Sequence, residues 1–450
     1  MHLLLDSFYL LGLLLASPWL IYRLIRTRSW RDLRDRFGLA AAPSGAIWLH
    51  GSSVGEVSLI SPLVTLLRQH CPERALIISS HTPTGVQAAR LAYPTCTVFR
   101  FPLDFSLIQR RLMARLKPCL VIIVESDLWP NHLFAASRHG TAVAVVNGKL
   151  SERSFRLHRW SRLVPRALRG VALVAAQTEA HAERFSGLGV PAERIAVTGN
   201  MKYDLTPDNT DAPHRDLLRK QLGFASTDVV IIGGSLHPAE DLDLLAAFAA
   251  ASGRGHRTRL VIVPRYPDHA TTVMQNVAQA GFVALAKSEL DRDPGKASVA
   301  AAVLVVDTLG ELRQLYAAAD IAFVGGSLYY RGSNKGGHNL MEPAILGLPV
   351  LFGPHNFSFR ETVADLLAAD AAIEVSDRAE LARSLTELVD SPTKRVEIGR
   401  RARQVVIEGR GAAKRNLELL LPLIAGSASC SANAQEAQCR HQPEGHLLNE

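Results

Sequence analysis

Residues 47–57 read IWLHGSSVGEV, a short apolar run followed by Gly51, Ser52 and Ser53 and then by a segment carrying Glu56. Beyond it, Val57, Leu59, Ile60, Leu63, Leu66 and Leu67 recur at helical spacing. The pattern predicts a strand at 46–49, a tight turn, and a helix with Glu56 in its first turn. Open α/β sheets bind their ligands at such strand-to-helix crossovers. A carboxylate in that place either takes part in chemistry or complements the helix dipole, and this stretch alone leaves both readings open.

Working outward, the same strand, turn and helix sequence repeats. Apolar runs stand at 75–79, 98–102, 120–124 (LVIIV), 142–146 and 172–176, and a strand at 195 leads into Gly199-Asn200. A segment at 204–213, rich in Pro, Asp, Asn and Thr, reads as a domain link. A second series follows. The run 229–232 ends in Gly233-Gly234-Ser235, 260–263 in Pro264-Arg265, 303–306 in Asp307-Thr308-Leu309-Gly310-Glu311, and 321–324 in Gly325-Gly326-Ser327. A polar, Gly-rich loop at 329–338, a helix at 339–347 and a strand at 349–352 complete it. Short apolar runs without alternation, separated by helical stretches, are the signature of parallel sheets covered on both faces. The expected fold class is therefore α/β, with two Rossmann-like domains.

Within residues 1–28, the stretch 3–25 is mostly apolar and of about the ~20 residues a bilayer span needs; it is interrupted by Asp6 and Pro18, and Arg23, Arg26, Arg28, Arg31, Arg34 and Arg36 cluster from its end onward. This is expected to be an N-terminal membrane anchor, with the arginines holding the body of the protein on the cytoplasmic side. The expected domains are residues 29–205 and 206–425, with a disordered tail at 426–450 that mixes Ser, Ala, Gln and His without periodicity. Across 450 residues the formal charge is +8, so an acidic partner is expected. No basic run interleaved with aromatics points to nucleic acid. The five cysteines show neither C-x-x-C nor a metal-ligand spacing, which disfavours a disulfide framework or a zinc site.

In the second half, strand ends that finish in small or cationic residues aim backbone N–H groups and the Arg265 guanidinium at one sheet edge. That edge is expected to bind a phosphate. Glu342, three residues after Asn339, is placed to accept bonds from both hydroxyls of a ribose. Neither G-x-G-x-x-G nor G-x-x-x-x-G-K-[ST] occurs, so a dinucleotide site or P-loop is disfavoured. Asp241 and Asp243 formally match a metal-binding D-x-D, but residues i and i+2 of a helix do not face one way, and they read as a solvated helix start. His50 and His338 could contact substrate, but a lone histidine at a strand end is more often a satisfied structural group. Trp129-Pro130 reads as a packed turn.

The motifs HGSSVGE (50–56), ESDLWPN (125–131), TGNMKYD (198–204), VPRYP (263–267), DTLGEL (307–312), FVGGSL (323–328), GGHNLMEP (336–343) and FGPHNF (352–357) resemble, in order and spacing, those of the Kdo (3-deoxy-D-manno-octulosonic acid) transferases of lipid A assembly. The resemblance runs from about residue 3 to residue 421. It implies a GT-B architecture, two Rossmann-like domains facing a cleft, and an inverting transfer of Kdo from CMP-Kdo to a phosphorylated lipid A precursor at the inner membrane. It also implies that Glu56 is the general base and that Glu125 and Lys202 stabilise the transition state. Pro264, Arg265, Leu309, Gly310, Glu311, Asn339, Leu340, Met341 and Glu342 fall at the family's CMP contacts. No metal is expected, because a monophosphate leaving group can be met by fixed cations and dipoles. Two departures stand out: Asp127 replaces a glutamate of the usual E-T-E-L-W-P-N, and the loop at 329–335 is longer than the common form.

Two alternatives remain at this level. One is a GT-B transferase that uses a UDP-sugar; the other is a non-catalytic lipid- or nucleotide-binding module in which Glu56 only caps a helix.

Overall fold

The computed structural model describes residues 2–27, 30–205, 212–253, 255–298, 302–332 and 336–439. The chain divides into two compact units, Met1–Leu205 together with Arg410–Glu450, and Thr206–Gly409. Most of the expected link at 204–213 lies outside the described residues.

The first unit carries β1 (Ile47–His50), β2 (Leu76–Ser80), β3 (Thr97–Arg100), β4 (Leu120–Val124), β5 (Ala142–Gly148), β6 (Leu173–Ala176) and β7 (Ile195–Val197). They form one sheet in the order β3-β2-β1-β4-β5-β6-β7, and every pairing is parallel. Alternation of side chains along β1 explains why both faces are apolar: Ile47 and Leu49 enter one core while Trp48 enters the other. Strand order reverses between β1 and β4, so the chain leaves these neighbours in opposite lateral directions and opens a crevice at their C-terminal ends.

The second unit repeats the plan with β8 (Val229–Leu236), β9 (Thr258–Pro264), β10 (Ala284–Ala286), β11 (Val303–Val305), β12 (Ile321–Val324), β13 (Val350–Phe352) and β14 (Ala372–Glu374), in the order β10-β11-β9-β8-β12-β13-β14. The reversal here lies between β8 and β12. Again the faces alternate, with Ile231 and Ile262 in one core and Ile232 and Val261 in the other.

Three expectations change at the chain ends. The second domain does not run to residue 425. The helix Ala412–Cys439 belongs to the first unit, where Ala412, Ala413, Leu417, Leu420 and Ile424 join the core that holds Leu49 and Ile122. Nor is the stretch from 426 structureless as far as it is described, since the same helix continues to Cys439; its Ala, Glu and Gln content favours helix. The N-terminal segment is a helix, His2–Thr27, but among the described residues no helix is long and apolar enough to cross a membrane. Asp6 is instead drawn into the fold: its carboxylate accepts from Ser106 N at 3.0 Å, Ser106 Oγ at 2.5 Å and Asn131 Nδ2 at 3.0 Å.

Candidate functional site

In the first unit Glu56 occupies the third position of the helix Val54–Leu59, directly after the turn that follows β1. Ser53 caps this helix, and the Glu56 carboxylate folds back to accept from Ser52 N at 2.6 Å, Ser52 Oγ at 2.6 Å and Ser53 Oγ at 3.4 Å. This is a variant of the reciprocal capping box. Two carboxylate oxygens offer about four acceptor positions, so the group is oriented without being fully occupied, and it remains half-exposed. At Gly51 a Cβ would lie 3.2 Å from the Glu56 backbone, a tight contact that glycine avoids.

Glu125 follows β4, the neighbour of β1, with φ +59°. A left-handed non-glycine residue costs of the order of 1–3 kcal/mol and concentrates at functional sites. Asn147 (φ +52°), at the end of adjacent β5, shares the conformation. Its Oδ1 accepts from Met201 N at 2.8 Å and so fixes the 3-10 turn Met201–Leu205 that carries Lys202. That turn packs against the helix bearing Glu56. The returning C-terminal helix clamps it from the other side: Asp204 accepts from Gly411 N and Ala413 N at 2.6 and 2.7 Å, Arg415 Nε donates to Thr198 O at 2.8 Å, and Asn416 Nδ2 donates to Thr198 Oγ1 at 3.1 Å. The fold thus gathers Glu56, Glu125 and Lys202 along one C-terminal sheet edge.

Asp127, the departure from the family motif, is the hub of a half-buried network at this edge. His50 Nε2 lies 2.7 Å from its Oδ2, His81 Nε2 3.2 Å from the same oxygen, and Trp129 Nε1 donates to Oδ1 at 2.8 Å. Burial alone would raise the Asp127 pKa, but the two imidazoles overcome it and hold the carboxyl well below the usual carboxylate range. Ser79 Oγ accepts from Trp48 Nε1 and lies 2.9 Å from His50 Nδ1, which closes the chain Trp48, Ser79, His50, Asp127. His50, His81 and Asp127 place their ligand atoms within 4.8 Å of one another and could hold a metal ion. The mutual bonds account for His50 and Asp127 without one. The sequence does not point to His81, because its partner is set by the lateral order β2-β1-β4, which no local pattern records.

In the second unit the anion-binding expectation needs correction in its details. The N–H groups of Gly326, Ser327 and Leu328 are taken by Glu240, whose two oxygens accept them at 2.7, 3.0 and 3.0 Å together with His237 N at 2.9 Å. These amides therefore do not face a ligand. At the same edge Arg265 follows β9 and lies 5.6 Å over the Tyr266 ring, and the Nε2 atoms of His237 and His338 stand 3.1 Å apart. Burial pushes both histidines down, His338 to about 4, with Arg265 and Arg331 adding to the effect.

Asn339 Nδ2 donates to Glu342 Oε1 at 3.1 Å, while its Oδ1 accepts from Met341 N at 3.1 Å. Burial raises the Glu342 pKa. Glu311 accepts from Thr308 Oγ1 at 3.0 Å and pairs with Lys287 at 3.4 Å, leaving Leu309 and Gly310 exposed. Pro264 closes β9 opposite Leu236. The Leu340 and Met341 side chains lie in the core, so only their backbones are available to a ligand.

Asp241 and Asp243 are not a solvated helix start. Both are buried: Asp241 accepts from Asn276, and Asp243 from Tyr329 and Arg378. Their different partners reflect the different faces that i and i+2 occupy.

A family model described as 3-deoxy-D-manno-octulosonic-acid transferase matches residues 31–205. A 3-deoxy-D-manno-octulosonic acid transferase of Haemophilus influenzae is 30% identical over 434 residues, covering 93% of this chain and 98% of that protein. Those of Chlamydia muridarum and Bordetella pertussis are 31% and 30% identical, covering 87% and 86% of this chain and 90% of each relative. Among solved structures, UDP-GlcNAc 2-epimerase of Neisseria meningitidis shares the fold at a TM-score of 0.55 with 14% identity, covering 84% of this chain and 99% of that one. The corresponding Listeria monocytogenes protein does so at 0.53 with 15% identity, covering 90% and 100%.

Proposed function

Because the chain belongs to the 3-deoxy-D-manno-octulosonic acid transferase family and is therefore a glycosyltransferase, we propose that it moves Kdo from CMP-Kdo to a hydroxyl of a phosphorylated lipid A precursor, with inversion. Glu56 takes the proton of the acceptor hydroxyl as its oxygen bonds to the anomeric carbon. The bond from that carbon to the CMP phosphate breaks, and its electron pair leaves with the phosphate. Lys202 and Glu125 stabilise the charge that develops in the transition state. Arg265 meets the phosphate, Glu342 and Asn339 the ribose, and Pro264 and residues 309–311 line the same donor site. No metal takes part.

The observation that carries the reading is the placement of Glu56. A half-exposed carboxylate, aimed by Ser52 and Ser53, sits at the β1/β4 reversal where a parallel sheet presents its ligand crevice. The +8 charge and the outward Phe8, Leu11 and Leu15 of the first helix support action at the cytoplasmic side of the inner membrane, against an anionic lipid surface.

The test is release of CMP from CMP-Kdo in the presence of a detergent-dispersed lipid A precursor. Glu56→Gln keeps the shape and loses the basic lone pair, so turnover should fall about 10²–10⁴-fold while CMP binding is retained, and wild-type turnover should persist in EDTA. If Glu56 only caps its helix, the variant will lose stability and keep at least half of its turnover, and the base assignment fails. Loss of wild-type activity in EDTA that a divalent ion restores would bring a metal into the reaction.

A further inference from the structure

Four groups converge at the C-terminal edge of three adjacent strands, β9, β8 and β12: Arg265 after β9, His237 after β8, and Arg331 and His338 after β12. The two imidazoles stack with ring centroids 5.3 Å apart and planes 11° apart, and the His237 ring meets that of Tyr266, beneath Arg265. Gly326 is fitted to them, since a Cβ there would stand 2.8 Å from the His338 ring. Among the described residues no carboxylate pairs with Arg265 or Arg331. Glu240, the acidic group built into this edge, is consumed by four backbone N–H groups.

Arg331 is not a loose surface arginine. Its Nε is buried with no hydrogen-bond partner. The two residues before it are pinned: Tyr329 OH donates to the buried Asp243, itself paired with Arg378, and the Tyr330 ring packs edge-on against His355 at 5.6 Å. A half-buried guanidinium whose Nε is shielded from solvent, with no carboxylate beside it among the described residues, is suited to an anionic ligand that completes it. With the histidines held neutral by burial, the cluster presents two positive charges. A phosphodiester linking a nucleoside to a sugar carries one negative charge. The second charge calls for a second anionic group on the same ligand, and a sugar acid supplies it as a carboxylate.

We infer that Arg331 is a specificity-determining residue that binds the sugar carboxylate of the donor, while Arg265 binds its phosphate, so that the site selects nucleotides of acidic sugars. This rests on the donor reading above. Guanidinium is suited to the task because its planar fork grips a carboxylate in two places. The fixed Tyr329 and Tyr330 then set that fork beside the donor's sugar.

The test compares CMP-Kdo, which carries both groups, with CMP, which lacks the carboxylate. In Arg331→Gln, KM for CMP-Kdo should rise about ten- to hundredfold, as expected for loss of a charge-assisted bond, while inhibition by CMP stays within about threefold of wild type. In Arg265→Gln, both should weaken together. Arg331→Lys keeps the charge and loses the fork, and should fall between wild type and Arg331→Gln; its thermal melt reports whether the loop still folds. Proportionate weakening of CMP and CMP-Kdo in Arg331→Gln would assign both guanidiniums to the phosphate and overturn the inference, as would an unchanged KM. Failure of CMP to inhibit the wild-type protein at all would instead sink the donor reading beneath it.

Discussion

Two buried residues under the first helix titrate in opposite senses. Asp104 accepts from Asn131 N, His132 N and Tyr9 OH, yet burial dominates and pushes its carboxyl up to about 7. Next to it, burial pushes His132 down to about 3, with Nδ1 2.8 Å from Gln109 Oε1 and Nε2 unpartnered. The folded state holds a proton on Asp104 that the unfolded chain releases, so its contribution is full at low pH and falls as pH rises from about 4 to 7. For His132 the contribution is full above about 6.5 and is lost as pH falls toward 3. The two slopes oppose each other between about pH 4 and 6.5, at ~1.4 kcal/mol per tenfold change in either proton equilibrium. Urea melts should therefore show that, relative to wild type, Asp104→Asn steepens the rise in stability with pH across this window and His132→Gln reverses it. Equal slopes in all three proteins would refute the opposed titration. None of this was legible in the sequence, nor was the burial of Glu240 and Asp243. A charged residue near a helix start reads as solvent-facing unless its partners are known, and these come from segments about 90 to 135 residues away.

At the level of elements, the long apolar strands were legible because parallel strands buried on both faces are near-continuous hydrophobic runs. Ala284–Ala286 and Ala372–Glu374 were not. They are three-residue edge strands whose ends stay partly exposed, so they carry neither a run nor an alternation. Apolar length is what the sequence shows of the helix His2–Thr27, but its seating is decided by Asp6 and Tyr9, whose ring also meets Phe105 edge-on at 5.9 Å. That seating turns Phe8, Leu11 and Leu15 outward, at 72, 56 and 77% exposure. Burying each such side chain is worth roughly 1.5–3 kcal/mol at most. Replacing all three by Ser should therefore weaken co-sedimentation with anionic vesicles at least about tenfold, while activity on detergent-dispersed acceptor is retained. Unchanged vesicle binding would show that this face does not meet lipid.

For the whole molecule, the decisive feature is that the second unit is inserted into the first. The sequence could not reveal it, because an amphipathic C-terminal helix looks the same whichever core receives it. Residues 1–205 alone lack Leu417, Leu420 and Ile424 from their core and the clamp on the Lys202 turn. Expressed by themselves, they should expose apolar surface and bind a hydrophobic dye, and residues 410–439 supplied as a separate peptide should reverse this. Residues 206–409 form a continuous stretch and should melt cooperatively unaided. A stable, dye-silent 1–205 fragment would show the returning helix to be dispensable.

The same insertion sets a schedule on the ribosome. At ~5–20 residues per second, the first unit waits roughly ten to forty seconds, with part of one face of its sheet uncovered, while the whole of Thr206–Gly409 is made. The second unit can finish before the first. Every nascent chain thus passes through an interval in which a sticky half-built sheet is tethered to a completed neighbour, and the demand for chaperones should peak there, ending only when the last helix emerges and closes the sheet.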